Sequence, residues 1–223
     1  MNAKEETVKG IVLASFPQGE YGKRLSVLTA RFGKITVFAA GAAKQDSKFI
    51  GAVRPMTCAT LGIVRGRSAW NLRTAGVIEA FDAPGADPDL LFSGMYLMEL
   101  ADWFAQEGME EQEAKMLLNL LFVSLKALFE GALPAELVRS MCTLRMLVIE
   151  GEYTSLPLHR APEEVSALWE HTVKSPLSGL YRIEGPSGET VREFCSQEEV
   201  LRERQIPHAF RSLRVLREDA FPL

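Results

Sequence analysis

The chain has 223 residues, 47% hydrophobic and 24% charged, with 17 Gly and 11 Pro, a composition that suits one or two domains with real cores and excludes collagen-like and low-complexity chains. Its formal charge of −4 conceals a split: residues 1–80 carry twelve Lys or Arg against five acids, a balance of +7, and residues 81–223 carry 13 against 24, or −11. Such asymmetry between halves points to polyanion binding by the basic half.

The first eighty residues read as β structure. Residues 7–15 and 25–31 are short apolar runs rich in Val, Ile and Thr. Residues 34–40 alternate, with Ile35, Val37 and Ala39 on one face and Lys34, Thr36 and Phe38 on the other, as a half-buried strand requires. Phe32 and Gly33 signal a tight turn between the last two. Runs at 53–64 and 68–78 flank Arg65, Gly66 and Arg67, where Gly66 is free to take the positive φ of a short hairpin. Five strands joined mostly by tight turns predict a small closed barrel, the strand count of an OB-fold.

A loop over 82–88 ends this region. Asp87 and Pro88 then predict a helix start, the acid as N-cap and the proline at the first helical position. Leu90, Leu97, Leu100, Ala101 and Phe104 follow at helical spacing up to Gly108. A second helix spans about 111–130 and a third about 134–150, each with an apolar stripe and a closing glycine, so the helices bury one another in a bundle. Residues 162–174 predict a fourth helix. Residues 180–194 read as a hairpin around Gly185, Pro186, Ser187 and Gly188. Residues 197–218 read as helical with a break before Pro207. The predicted fold class is therefore α+β, a five-stranded OB-fold barrel over 1–81 followed by a helical domain over 82–223 with a small hairpin insertion.

Catalytic motifs are missing from this pattern, and the chain reads as a non-enzyme without cofactor or metal. His159, His171 and His208 share no short spacing with each other or with a cysteine. Residues 185–189 (GPSGE) carry Glu where a nucleophile elbow needs its last glycine. Gly22-Lys23 and Gly33-Lys34 lack the upstream glycine and following hydroxyl of a phosphate loop. Three cysteines, Cys58, Cys142 and Cys195, fit a reducing cytoplasm better than a disulfide framework. Charges at Lys4, Glu5, Glu6 and Lys9 interrupt any export signal, and no apolar run approaches the ~20 residues of a membrane span.

The informative feature is the placement of the basic residues. Lys23 and Arg24 precede the second strand, Arg31 and Lys34 surround its turn, Lys44 and Lys48 lie in the loop after the third, and Arg65 and Arg67 sit at the hairpin. Charges at turns and strand ends stay solvated and can neutralise phosphates around one opening of a barrel. Arg73 shares a face with Asn71 on an outer surface. Tyr21, in a glycine-flanked loop, and Phe49, beside Lys48, are the candidate stacking side chains. Trp70 reads as core, and Phe38 is left open between the two roles. The plain alternative is that these charges only keep a small barrel soluble.

Residues 37–44 (VFAAGAAK), with Ser47, Lys48, Gly51, Arg54, Pro55, Gly66, Arg67 and Glu79 in order behind them, resemble the N-terminal OB domain of the RecO family of DNA repair and recombination mediators. Residues 93–100 (SGMYLMEL) are similar to that family's first bundle helix, and Phe210 to Leu213 to its C-terminal helix. The resemblance implies a cytoplasmic, nucleoid-associated monomer that binds single- and double-stranded DNA. It implies that the protein anneals strands coated with single-strand-binding protein (SSB) and, with RecR, helps load RecA. It also implies that the acidic SSB tail docks on the helical domain, where Arg139 and Arg145 are candidates for the cationic rim and a solvated helix face explains them equally well. One departure is plain: the family's zinc module is missing its cysteine pairs here. Cys195 alone cannot make a four-ligand zinc site, and the hairpin near 180–194 is expected to stand in its place. The reading from another class is a protein-protein adaptor whose barrel does not bind DNA.

Overall fold

The computed structural model describes residues 4–81, 87–152 and 161–218. Most of the loop expected at 82–88 lies outside them, as does the segment 153–160 with His159. The five predicted strands are β1 (Glu5–Gln18), β2 (Gly22–Thr29), β3 (Gly33–Ala39), β4 (Thr57–Arg65) and β5 (Trp70–Ala80). They close into a barrel in the order β1-β2-β3-β5-β4, with β3 parallel to β5 and every other pair antiparallel. This is OB-fold connectivity, with the long β1 pairing both β2 and β4 and so removing the sheet's edges.

The expected alternation is realised in β3, where Ile35, Val37 and Ala39 are buried and Lys34, Thr36 and Phe38 are not. The interior is filled by Val12, Leu25, Val27, Ile35, Val37, Leu61, Ile63, Trp70 and Leu72 among others. Trp70 is core, as its phase requires, and stacks on Phe32 with ring centroids 4.9 Å apart. Gly33 closes the β2–β3 turn at φ +65, where a side chain would also meet the Gln106 carbonyl oxygen. Gly66 serves differently from expectation, since its φ is not positive. A Cβ there would lie 2.6 Å from both the Ala69 oxygen and Asn71 Nδ2, so the hairpin selects glycine for close approach.

Among the described residues six α-helices follow: α1 (Pro88–Phe104), α2 (Glu111–Glu130), α3 (Ala135–Ile149), α4 (Glu163–Lys174), α5 (Gly188–Gln205) and α6 (Arg211–Glu218). At the start of α1 the Asp87 carboxylate accepts a hydrogen bond from the Asp89 amide at 3.0 Å, the capping bond its residue type predicts. The predicted hairpin at 180–194 is not formed. Residues 182–187 are irregular, and Gly188 begins α5. Ser187 is an N-cap, its hydroxyl accepting from the Thr190 amide at 3.1 Å, and Val191, Phe194 and Leu201 turn inward at helical spacing. The same glycine, proline and serine that signal a hairpin turn also signal a helix start. The break before Pro207 is real and separates α5 from α6.

The chain forms two compact units. One joins the described residues of 1–86 with 101–118, and the other joins 87–100 with those of 119–223. The sequence predicts a helical domain unbroken from 82 to 223, whereas 101–118 packs with the strands. In the second unit, Tyr96 is fully buried and shares a 2.8 Å hydrogen bond with Thr143, and its ring meets Phe210 edge-on. Trp169 packs against Phe194 at 5.2 Å between centroids. Among the described residues no helix is long and apolar enough to cross a membrane, and no cluster of His, Cys, Asp or Glu is built to hold a metal ion.

Candidate nucleic-acid interface

Strand pairing brings one row of side chains together on the outside of the barrel. Leu25, Val37 and Trp70 are neighbours across β2, β3 and β5 and point inward. Pleating therefore sends the adjacent row, Arg24, Phe38 and Asn71, outward. Phe16 of β1 is the cross-strand partner of Arg24, so the row runs Phe16, Arg24, Phe38, Asn71 over four strands. Phe16 is 47% exposed, and the Arg24 guanidinium lies over its ring at 5.2 Å from the centroid. Arg73, two residues beyond Asn71, is exposed at a register shift in β5 that leaves it without a cross-strand partner on β4.

The loops at this end extend the row. The β1–β2 loop presents Tyr21, 49% exposed, and its carbonyl accepts the Ala43 amide at 2.9 Å. That bond holds the loop after β3 against it and sets the Lys44 ammonium over the Tyr21 ring at 5.5 Å. Tyr21, Lys23, Phe38, Lys44 and Asn71 line an open groove of about 570 Å³. Hydrogen bonding to Glu20 holds the Tyr21 hydroxyl above its ordinary pKa, so the phenol is neutral at physiological pH. Arg67 is exposed in the β4–β5 hairpin. The β2–β3 surface with the β1–β2 and β4–β5 loops is the part of an OB-fold that receives oligonucleotides.

The predicted basic set divides into two groups. Lys23, Arg24, Lys44, Lys48, Arg67 and Arg73 have no acidic partner among the described residues. Arg31, Lys34 and Arg65 are each paired: Arg31 with Glu6 at 2.6 Å, Lys34 with Asp102 at 3.4 Å, Arg65 with Glu107 at 3.5 Å. The end of α1 and the residues after it lie along the lower part of the β2–β3 surface. The Lys34 amide donates to the Gln106 carbonyl at 3.0 Å, the Ser26 hydroxyl donates to Asp102 at 3.0 Å, and the Lys34 ammonium donates to the Asp102 carbonyl at 2.6 Å. Exposed pairs of this kind contribute about 0–1 kcal/mol each; their main consequence is to bound the cationic surface.

Phe49, expected to stack on a ligand, is only 8% exposed and belongs to the barrel core. Lys48 lies over its ring at 5.2 Å, so the residue beside a surface cation plugs the barrel. Phe16 is absent from the sequence-predicted set because the apolar run that marks the first strand stops at residue 15, and because unbroken alternation from the inward Val8 and Val12 would put it inside; the register shift between Val12 and Ala14 reverses that parity and turns Phe16 outward.

Arg139 and Arg145 are both drawn into the helical unit. Arg145, half-buried on α3, donates to the Thr172 and Val173 carbonyls at the end of α4, which satisfies carbonyls that a helix end leaves open. Burial lowers its pKa from the ordinary arginine value. Arg139, its side chain 15% exposed, donates to Ser93 and pairs with Asp89 at 3.8 Å. It also lines a cavity of about 310 Å³ of mixed charge, with Arg192, Arg202 and Arg217 facing Glu136, Glu198 and Glu199. The three cysteines are free, and burial pushes Cys58 up to about 11 and Cys142 and Cys195 up to about 12, so all three remain thiols. His171 is spanned by the Leu180 carbonyl and the Ser175 hydroxyl, each at 3.0 Å, a structural role.

Residues 1–81, the whole barrel, match the family described as Recombination protein O N terminal. The first 81 residues are similar to a RecO N-terminal domain. Similar proteins include the DNA repair protein RecO of Exiguobacterium sibiricum, 34% identical over 143 residues that cover 64% of this chain and 55% of that one. Those of Desulforudis audaxviator, 37% identical over 108 residues (48% and 43%), and Caldicellulosiruptor bescii, 33% identical over 143 residues (64% and 57%), are similar too. The matched stretch spans about half the length of these RecO relatives. The RecO-type barrel is thus the part of the chain on which likeness and geometry coincide.

Proposed function

We propose that this chain is a non-catalytic DNA-binding mediator of DNA repair and recombination. Its barrel binds single- and double-stranded DNA along the β2–β3 surface. In this reading it anneals complementary strands coated with SSB and, with RecR, promotes RecA loading. The acidic helical region handles protein partners, and Arg139, beside Arg192, Arg202 and Arg217 in a cavity of mixed charge, receives the carboxylates of the SSB tail. The observation that carries the reading is the outward row Phe16, Arg24, Phe38, Asn71 on a barrel where six basic residues, Arg24 of that row among them, are paired with no acid among the described residues. Annealing then follows from charge neutralisation, since two strands whose phosphates are screened approach each other without repulsion.

Six neutralised phosphates give a slope of log affinity against log salt of roughly −4 for single strands. Fluorescence anisotropy of a labelled oligonucleotide across a salt series measures it. The double variant Lys23→Glu/Lys44→Glu is expected to flatten the slope by about 1.4 and to slow annealing of SSB-coated strands. Binding that is weak and insensitive to salt, with annealing unchanged in the variant, refutes the reading and favours an adaptor that binds only protein.

A further inference from the structure

Three aromatic faces stand on the proposed DNA surface without burying themselves. Phe16 and Tyr21 are about half exposed, and Phe38 is partly so. An apolar ring left in water on a strand is unremarkable alone. Here each is set beside a cation: Arg24 over Phe16 at 5.2 Å, Lys44 over Tyr21 at 5.5 Å, and Phe38 beside Arg24 as its cross-strand partner. Phe16 and Phe38 are two strands apart on one row, hence about 10 Å from each other, with the Arg24 side chain rising between them. The occupant that fits must offer flat π-faces and negative charges in alternation along one line. A single-stranded nucleic acid does so, with bases for the rings and phosphates for the cations. A duplex offers the phosphates but covers its base faces by stacking, and exposing one costs a few kcal/mol.

We propose that Phe16, Tyr21 and Phe38 are base-stacking side chains that make this surface prefer unpaired strands to duplex without regard to sequence. The proposal rests on the DNA-binding reading above. It divides the labour on the surface: the cations set affinity for any polyphosphate, and the rings add the part that depends on bases.

The test compares three probes of equal phosphate count per strand: a mixed-sequence oligonucleotide, an abasic oligonucleotide of the same length, and the mixed sequence annealed to its complement. The unmodified protein is expected to bind the mixed strand at least about tenfold more tightly than the abasic one. Phe16→Leu and Phe38→Leu are each expected to lose about tenfold on the mixed strand, with no change on the abasic strand or duplex and no change in salt slope. Phe38→Trp keeps a flat ring and is expected to retain the preference, which separates stacking from a packing defect. Equal binding of mixed and abasic strands by the unmodified protein overturns the stacking proposal and leaves phosphate binding intact. So does an equal loss on all three probes in the leucine variants. Failure to bind any of the three overturns both readings together.

Discussion

Replacing Glu198 with Gln is expected to stabilise the protein above neutral pH, against the usual outcome of altering a buried residue. Glu198 lies on α5 at 4% exposure, and its Oε1 has no hydrogen-bond partner. Its nearest cation is Arg202, at 3.9 Å. Burial is the leading cause that raises its pKa from 4.5 to about 7, with Glu203 adding to the rise; Arg202, the Ser140 hydroxyl and Arg139 pull it back only in part. The other titratable groups around it, Tyr96, Cys142 and Cys195, are themselves raised and stay protonated. The folded state therefore holds a proton that the unfolded chain releases between pH 4.5 and 7. Stability is highest below that window, falls as pH rises through it, and is level above. A tenfold change in a proton's affinity corresponds to about 1.36 kcal/mol, so the ionised carboxylate costs about 3 kcal/mol at pH 8. Glutamine has nearly the same shape and no charge to desolvate. Arg202 would keep Glu199 at 3.3 Å and Glu203 at 3.7 Å, so the substitution does not leave a buried arginine alone. A gain of this size raises Tm by about 6–12 °C in a chain of this length. Thermal melts of both proteins between pH 4.5 and 8 would show the curves converging at low pH and diverging by pH 8. A wild-type Tm that is flat over this window, or a Glu198→Gln variant less stable than wild type at pH 8, refutes the argument.

Three further outcomes are expected. Asp102→Asn with Glu107→Gln releases Lys34 and Arg65 for phosphate and should steepen the single-strand salt slope by about 1.4; anisotropy titrations that leave the slope unchanged would show that these two cations lie off the DNA path. Phe49→Ala removes a ring from the barrel core and should cost about 3–5 kcal/mol in urea unfolding, while the DNA affinity of the folded fraction stays constant; a selective loss of affinity would return Phe49 to the surface role that its neighbour Lys48 suggests. Gly33→Ala combines a φ of +65 with a Cβ placed 2.3 Å from the Gln106 oxygen, so it should destabilise by more than about 1 kcal/mol, and a neutral effect would show that the contact between the β2–β3 turn and residues 106–109 yields easily.

Much of the fold is legible in the chain because it is written in local period. The parity of β3 can be read from seven residues, and the helix starts and stops from Asp87, Pro88 and the glycines that follow each apolar stripe. The same local chemistry misleads at residues 185–188, where glycine, proline and serine announce a turn and a helix cap equally well. Only the inward Val191, Phe194 and Leu201 distinguish the two. Phe49 fails for the opposite reason. A loop residue next to a lysine has no periodic neighbour to fix its side, and the barrel's open end decides it.

What the sequence determined by itself is the charge division, the strands and helices, and the basic, RecO-like character of the first 81 residues. These depend on composition, spacing and turn chemistry within a few residues of each other. Which cations remain available to a ligand was decided only by tertiary structure. Asp102 and Glu107 reach Lys34 and Arg65 across separations of 68 and 42 residues, and Phe16 and Phe38 fall on one row because β2 pairs with both of their strands. No local pattern encodes such meetings. They arise because the barrel closes and the chain returns from α1 to lie along it, turning nine basic candidates into six open charges and three paired ones.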